Sequence, residues 1–262
     1  VIDGSAGSTA EDDVSLYRDH AVVLRTWKLG EADRIVSFHT HQHGKVRAVA
    51  KGVRRTRSKF GARLEPFSHV AVQLYRGRGD LDTITQVETV DRFTALREDA
   101  DRFARAEAMM EAVDQVAQDR EPDPDLHVMV VRALRTLNEQ DSPMVVAAFF
   151  LKLLAHEGLS PRLDGCVACN REGPFEAFDP IEGGVLCRTC RRGRPISDEA
   201  VVVLRQILGG GLAGVLASGS TDVADEVQQL ATLLLETHLE RRLKVMTVMD
   251  RAPMVPQPGE RR

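Results

Sequence analysis

The stretch "GKVRAVAKGVRRTRSKF", Gly44 to Phe60, changes character halfway along. In its first half Val46, Ala48 and Ala50 share one face of an extended chain, while Lys45, Arg47 and Lys51 share the other with Val49. One face suits a core and the other offers cations. After Gly52 the run Arg54, Arg55, Arg57 and Lys59 reads as a loop able to wrap a sugar-phosphate backbone, since arginine presents a planar fork of donors to phosphate.

The neighbouring runs "AVVLRTW", "RIVSFHT", "HVAVQLY" and "LDTITQVETV" are short, apolar or alternating, and separated by glycine, proline and polar turns. With the quoted strand they make five candidates between Tyr17 and about Val90, enough for a small barrel. The two glycines of "YRGRGDLD" suit a hairpin between the last two. Beyond Asp91 the period lengthens. Leu96, Phe103, Ala106, Met110, Val113 and Ala117 form one stripe of a helix ending before "EPDPD", and a second helix is expected from Leu126 to Leu137. A third is expected to start at Ser142 as N-cap with Pro143 in its first turn and to stop at Gly158; it is apolar nearly all round and should be buried. Ser197 should open another, and Ala224 to Val248 reads as one long final helix. The fold class is therefore α+β and multidomain: a leader over 1–15, a barrel over 16–92, helical segments over 93–163 and 196–250 around a cysteine module at 164–195, and a loose tail over 251–262.

Charge supports a ligand for the cationic face. Residues 34 to 64 carry nine Lys or Arg and no acid, within a chain of 262 residues whose formal net charge is −4. Without that window 26 basic residues face 39 acidic ones, so the segment makes a local positive field on an otherwise acidic protein. A solvated surface would intersperse both signs. No apolar run approaches the roughly 20 residues of a membrane span, and "VIDGSAGSTAEDDV" has no signal-peptide pattern, so a cytoplasmic protein without membrane contact is expected.

All four cysteines fall in "CVAC" (Cys166, Cys169) and "CRTC" (Cys187, Cys190), with seventeen residues between the pairs. That spacing is a strong zinc signal, because two tight turns can deliver four thiolates to one tetrahedral ion. Four protein ligands leave no open position, so one structural Zn²⁺ per chain is expected, ahead of metal-free thiols or a redox dithiol. Other candidates carry less. His39, His41 and His43 alternate, but "HQHG" reads as a hairpin turn and no carboxylate stands nearby in sequence. "GGGLAGVLASG" lacks the Lys-Ser/Thr ending of a phosphate loop and reads as a linker between helices. Asp80, Asp82 and Glu88 resemble a solvated face, and no hydrolase, zinc-protease or kinase signature is present, so no enzyme and no small-molecule substrate are expected. Phe60, Trp27 and Tyr75 are candidate stacking faces for bases, although Trp27 reads rather as core.

These residues resemble the RecO family of bacterial recombination mediators. "LGEADRIVSFHTHQHGKVRAVAKGVRRTRSKFGARLEPF" and "VQLYRGRGDL" are similar to its N-terminal barrel, and "FFLKLLAHEGLSPRLDGCVACN" to its helical core running into the cysteines. The resemblance implies an OB-fold barrel, a helical domain and a zinc module. It also implies a nucleoid-associated protein in DNA repair that binds single- and double-stranded DNA and anneals complementary strands. Its partners would be RecR and SSB, and it would help RecA load on SSB-coated single strands. Carried to this chain, the DNA-contacting residues are Lys45, Arg47, Lys51, Arg54, Arg55, Arg57, Lys59 and Arg63. The acidic C-terminal tail of SSB would dock beside the apolar helix from Met144 to Leu154, with Arg132, Arg135, Lys152 or Arg162 at the rim. A contrasting reading is a zinc-ribbon adaptor whose basic barrel binds RNA or an acidic protein.

Overall fold

A computed structural model describes residues 16–55, 58, 60–218 and 221–249; the leader, Arg57, Lys59 and the tail lie outside the described residues. Strands β1 (Leu16–Leu29), β2 (Asp33–Thr40), β3 (Gly44–Ala50), β4 (His69–Tyr75) and β5 (Asp82–Asp91) close into a barrel in the order β1-β2-β3-β5-β4. Every neighbouring pair is antiparallel except β3 with β5. Val46, Ala48 and Ala50 enter the barrel core with Val36, Phe38, Val70, Val72, Leu74 and Ile84, as the alternation of β3 requires.

β1 departs from simple alternation. Its register against β2 slips between Val23 and Arg25, and such a bulge inverts the in-out phase of every residue beyond it. Ala21 and Val23 point into the core before the slip. After it Arg25 lies opposite Ser37 and Trp27 opposite Ile35, on the outer face. The bulge explains why Trp27, expected in the core, is 38% exposed.

The barrel unit takes in a second piece of chain, Gln118–Asp123, which the sequence pattern places within the helical region. Lys45 N–H donates to the Gln118 carbonyl at 3.1 Å and Arg120 N–H to the Lys45 carbonyl at 3.0 Å, so the segment pairs with the start of β3. Gly44 is required there: a Cβ would lie 1.9 Å from the Glu121 carbonyl oxygen, and its φ of +64° is left-handed. Arg120 carries the side-chain anchor. Asp82, read from sequence as one of a solvated set, is fully buried. It accepts from Arg120 Nη2 at 2.9 Å, Tyr17 Oη at 2.5 Å and Gly77 N–H at 3.2 Å. Burial pushes its carboxyl upward, but these donors outweigh burial and hold it below the usual carboxylate range.

The second unit covers Phe93–Ala117 and the chain from Pro124 onward. Its helices are α1 (Ala95–Glu98), α2 (Ala100–Val116), α3 (Pro124–Glu139), α4 (Val145–His156), α5 (Asp198–Leu208), α6 (Leu212–Ala217), α7 (Thr221–His238) and α8 (Lys244–Met249). α4 is the hub, packed against α2, α3, α5 and α7. From Val145 to Leu154 every residue but Lys152 is buried, as an all-round apolar helix demands.

Three boundaries differ from the sequence reading. The first stripe breaks at Asp99, whose carboxylate caps α2 by accepting from Arg102 N–H at 2.8 Å. α4 starts at Val145 after Met144, with Ser142 and Pro143 in the preceding turn. The long last helix is interrupted after His238, where Glu240 adopts φ +50° and Arg241 N–H returns to the Glu236 carbonyl. Ser197 does cap α5, accepting from Ala200 N–H at 3.1 Å. The glycine-rich linker contains α6. Between α4 and α5, strands β6 (Phe175–Asp179), β7 (Gly184–Cys187) and β8 (Arg194–Pro195) form a small sheet in the order β7-β6-β8.

Candidate nucleic-acid interface and metal centre

The outer face of β1, β2 and β3 is built in rows by strand register. One row is Arg25, Ser37 and Arg47; the next is Trp27, Ile35 and Val49. The Arg25 guanidinium lies over the indole, 5.8 Å from the ring centroid. Cations beside an exposed indole flanked by half-buried aliphatic side chains are what a stacked, phosphate-linked chain requires. In OB barrels this face and the β1–β2 and β4–β5 loops take oligonucleotides.

Of the eight cations singled out from sequence, six are described. Lys45 and Arg47 point outward from β3; Lys51, Arg54 and Arg55 follow it on the exposed turn; Arg63 is partly exposed in a 3₁₀ turn, Gly61–Leu64. Arg54 Nη1 donates to the Glu31 carbonyl at 2.8 Å, so the basic turn lies against the β1–β2 hairpin. Phe60 is buried in the barrel core, which leaves its ring no free face for a base; Trp27 and Tyr75 are exposed. Sequence reasoning missed Arg25, which precedes the acid-free window and reaches the face only through the β1 bulge. It also misses Arg76 and exposed Arg78 in the β4–β5 turn, where the glycines are the stronger sequence signal.

The histidines separate. "HQHG" makes the β2–β3 turn, as expected. A carboxylate does reach it, from β1: Asp19 lies 2.7 Å from His43 Nδ1 and accepts from Gln42 N–H. His39 is 1% exposed, and burial brings its imidazole down to about 4 against the opposing pull of Asp123 and Asp19. The folded state thus holds His39 neutral while the unfolded chain protonates near 6.5. Stability should fall as pH drops from about 6.5 to about 4, by up to about 3 kcal/mol for this group. Urea midpoints across that range should flatten in His39→Gln.

The four cysteine sulfurs lie within 4.8 Å of one another, and Cys169 and Cys187 are 3.7 Å apart. Sulfurs at 2.3 Å from a tetrahedral ion stand about 3.8 Å apart, so the cluster fits one metal ion. Asn170, at φ +62°, tightens the first knuckle, where its N–H donates to the Cys166 carbonyl. Burial opposes ionisation of Cys166, but backbone N–H groups of Cys187, Cys169 and Ala168 outweigh it and bring the thiol down to about 6. Arg162, expected at a partner-binding rim, instead ties this module together. Its backbone pairs with Gly183 and Val185, and its guanidinium donates to the Asn170 side chain.

Two of the other expected rim residues flank a groove of about 380 Å³ between α3, α4 and α6. Arg132 and Lys152 line it with Val128, Met129, Phe149 and Leu216. Arg135 is exposed one turn further along α3 and is not among the lining residues.

Barrel and cysteine cluster together define the class: an OB-fold protein joined to a helical unit with a four-thiolate centre able to hold a metal ion. Residues 14–93 match the family described as Recombination protein O N terminal, and residues 97–247 match Recombination protein O C terminal. A relative named DNA repair protein RecO, from Nocardioides sp., is 44% identical over 245 residues, and the match covers 90% of this chain and all of the relative. The chain belongs to the RecO family of DNA repair proteins. Among the described residues no helix is long and apolar enough to cross a membrane.

Proposed function

We propose that the chain is a non-enzymatic recombination mediator that binds single- and double-stranded DNA on the outer face of β1, β2 and β3. It anneals complementary strands and, with RecR, helps RecA load on single strands coated by SSB, in the cytoplasm at the nucleoid. The observation that carries this reading is the row of Trp27, Ile35 and Val49 beside Arg25 and Arg47, a platform for stacking edged by cations. Lys51, Arg54, Arg55 and Arg63 extend the charge past the strand end, and Arg57 and Lys59, outside the described residues, belong to the same basic run of sequence. The cluster of Cys166, Cys169, Cys187 and Cys190 holds structural zinc, which fixes the module and takes no part in chemistry. The groove lined by Arg132 and Lys152 suits the SSB tail, since an acidic peptide with an apolar end needs cations at the rim and an apolar floor.

Annealing of complementary strands, bare and SSB-coated, tests the proposal. The chain should accelerate both, and Trp27→Ala combined with Arg25→Ala should abolish most of the acceleration. Equal binding of RNA or an acidic peptide at matched salt would instead favour an adaptor. Cleavage of DNA in Mg²⁺ that copurifies with the chain would overturn the non-enzymatic reading.

A further inference from the structure

Asp119 pairs with two of the cations on the outer face of β3. Its carboxylate oxygens lie 3.6 Å from Lys45 Nζ and 3.3 Å from Arg47 Nη2, so one anion bridges two cations of β3. Exposed ion pairs usually contribute little, because two long side chains must be held in one geometry. Here the acid's backbone is held independently of the pair. The Gln118 carbonyl and Arg120 N–H on either side of it bond the Lys45 backbone, Arg120 is tied to buried Asp82, and Glu121 abuts Gly44. Asp119 itself remains 53% exposed, so an incoming anion can contest its two partners.

We infer that Asp119 is a built-in competitor for phosphate, which lowers the affinity of the barrel for nucleic acid and speeds its release. The inference rests on the reading of this face as the DNA site. An annealing protein has to let go of the duplex it makes, and a tethered carboxylate that reclaims two cations favours dissociation without altering the stacking row.

The test is a titration of the full chain with a labelled single-stranded oligodeoxythymidylate at several salt concentrations. Asp119→Asn should bind about threefold to tenfold more tightly at low salt, and its slope of log K on log salt should steepen by about 0.7 for each freed cation that takes a phosphate. Asp119→Glu should behave as the parent. Lys45→Ala with Arg47→Ala should weaken the Asn variant more than the parent. If that double substitution weakens the parent while Asp119→Asn changes neither affinity nor slope, the inference fails and the DNA-binding reading stands. If the double substitution is silent in both backgrounds, both readings of β3 fail. A lowered melting temperature in Asp119→Asn with no gain in affinity would make the contact a structural ion pair and also overturn the inference.

Discussion

Arg120→Met should destabilise the barrel by about 3 kcal/mol, toward the lower end of what breaking a buried ion pair costs. Asp82 is fully buried and its acceptor sites are filled by Arg120, Tyr17 and Gly77. Removing the guanidinium leaves a carboxylate in a low-dielectric site with only neutral donors, and it also releases the segment that pairs with Lys45. The expected result is a lower urea midpoint. The deficit should shrink on acidification, because a protonated Asp82 needs no counter-ion. Adding Asp82→Asn to the variant should recover part of the loss, since the pair is then neutral on both sides. A midpoint unchanged in Arg120→Met would mean that Gly77 and Tyr17 suffice to hold the charge.

The other large effect is expected at the cysteines. The module has a small core of its own, built from Cys166, Ala177, Leu186 and Cys187 with Val167 and Cys190 against it. Such a cluster cannot by itself offset the entropy of ordering its loops. Zinc binding in isolated fingers supplies about 10–16 kcal/mol of apparent free energy, so here the metal and the module's fold should be lost together. On the proposed reading of the site as zinc, Cys187→Ser with Cys190→Ser should reduce bound metal from about one ion per chain to none. Trypsin should then cut at Arg188, Arg191 or Arg192, all exposed beside the second knuckle. The barrel, a separate compact unit, should retain its cooperative unfolding. Full resistance to trypsin without metal would refute the structural role.

Much of this was legible in the chain because local periodicity and burial agreed. Val46, Ala48 and Ala50 alternate with outward residues, and α4 is apolar on every side, so neither needed tertiary knowledge to assign. The cysteine spacing was equally explicit, since the distance between paired thiolates is set by the turn that carries them. What escaped depended on pairing across distant sequence. The β1 bulge is a matter of register between Val23, Arg25 and β2, and it alone turns Trp27 and Arg25 outward. Asp82 looked solvated because its counter-ion, Arg120, is 38 residues away and reaches it from a segment between two helices. Asp119 was invisible for the same reason, and Arg162 carried a charge suited to a partner but is used to brace the cysteine module.

Salt dependence of oligodeoxythymidylate affinity in two variants separates stacking from charge in the proposed binding of single-stranded DNA to the outer face of β1, β2 and β3. Trp27→Ala should lose about 1–3 kcal/mol of binding with its salt slope unchanged, as expected for one lost stacking partner. Arg25→Ala, Arg54→Ala and Arg55→Ala together should flatten the slope by about 2, at roughly 0.7 per lost phosphate contact. Parent-like affinity in the first variant and a parent-like slope in the second would place DNA binding elsewhere than on this face.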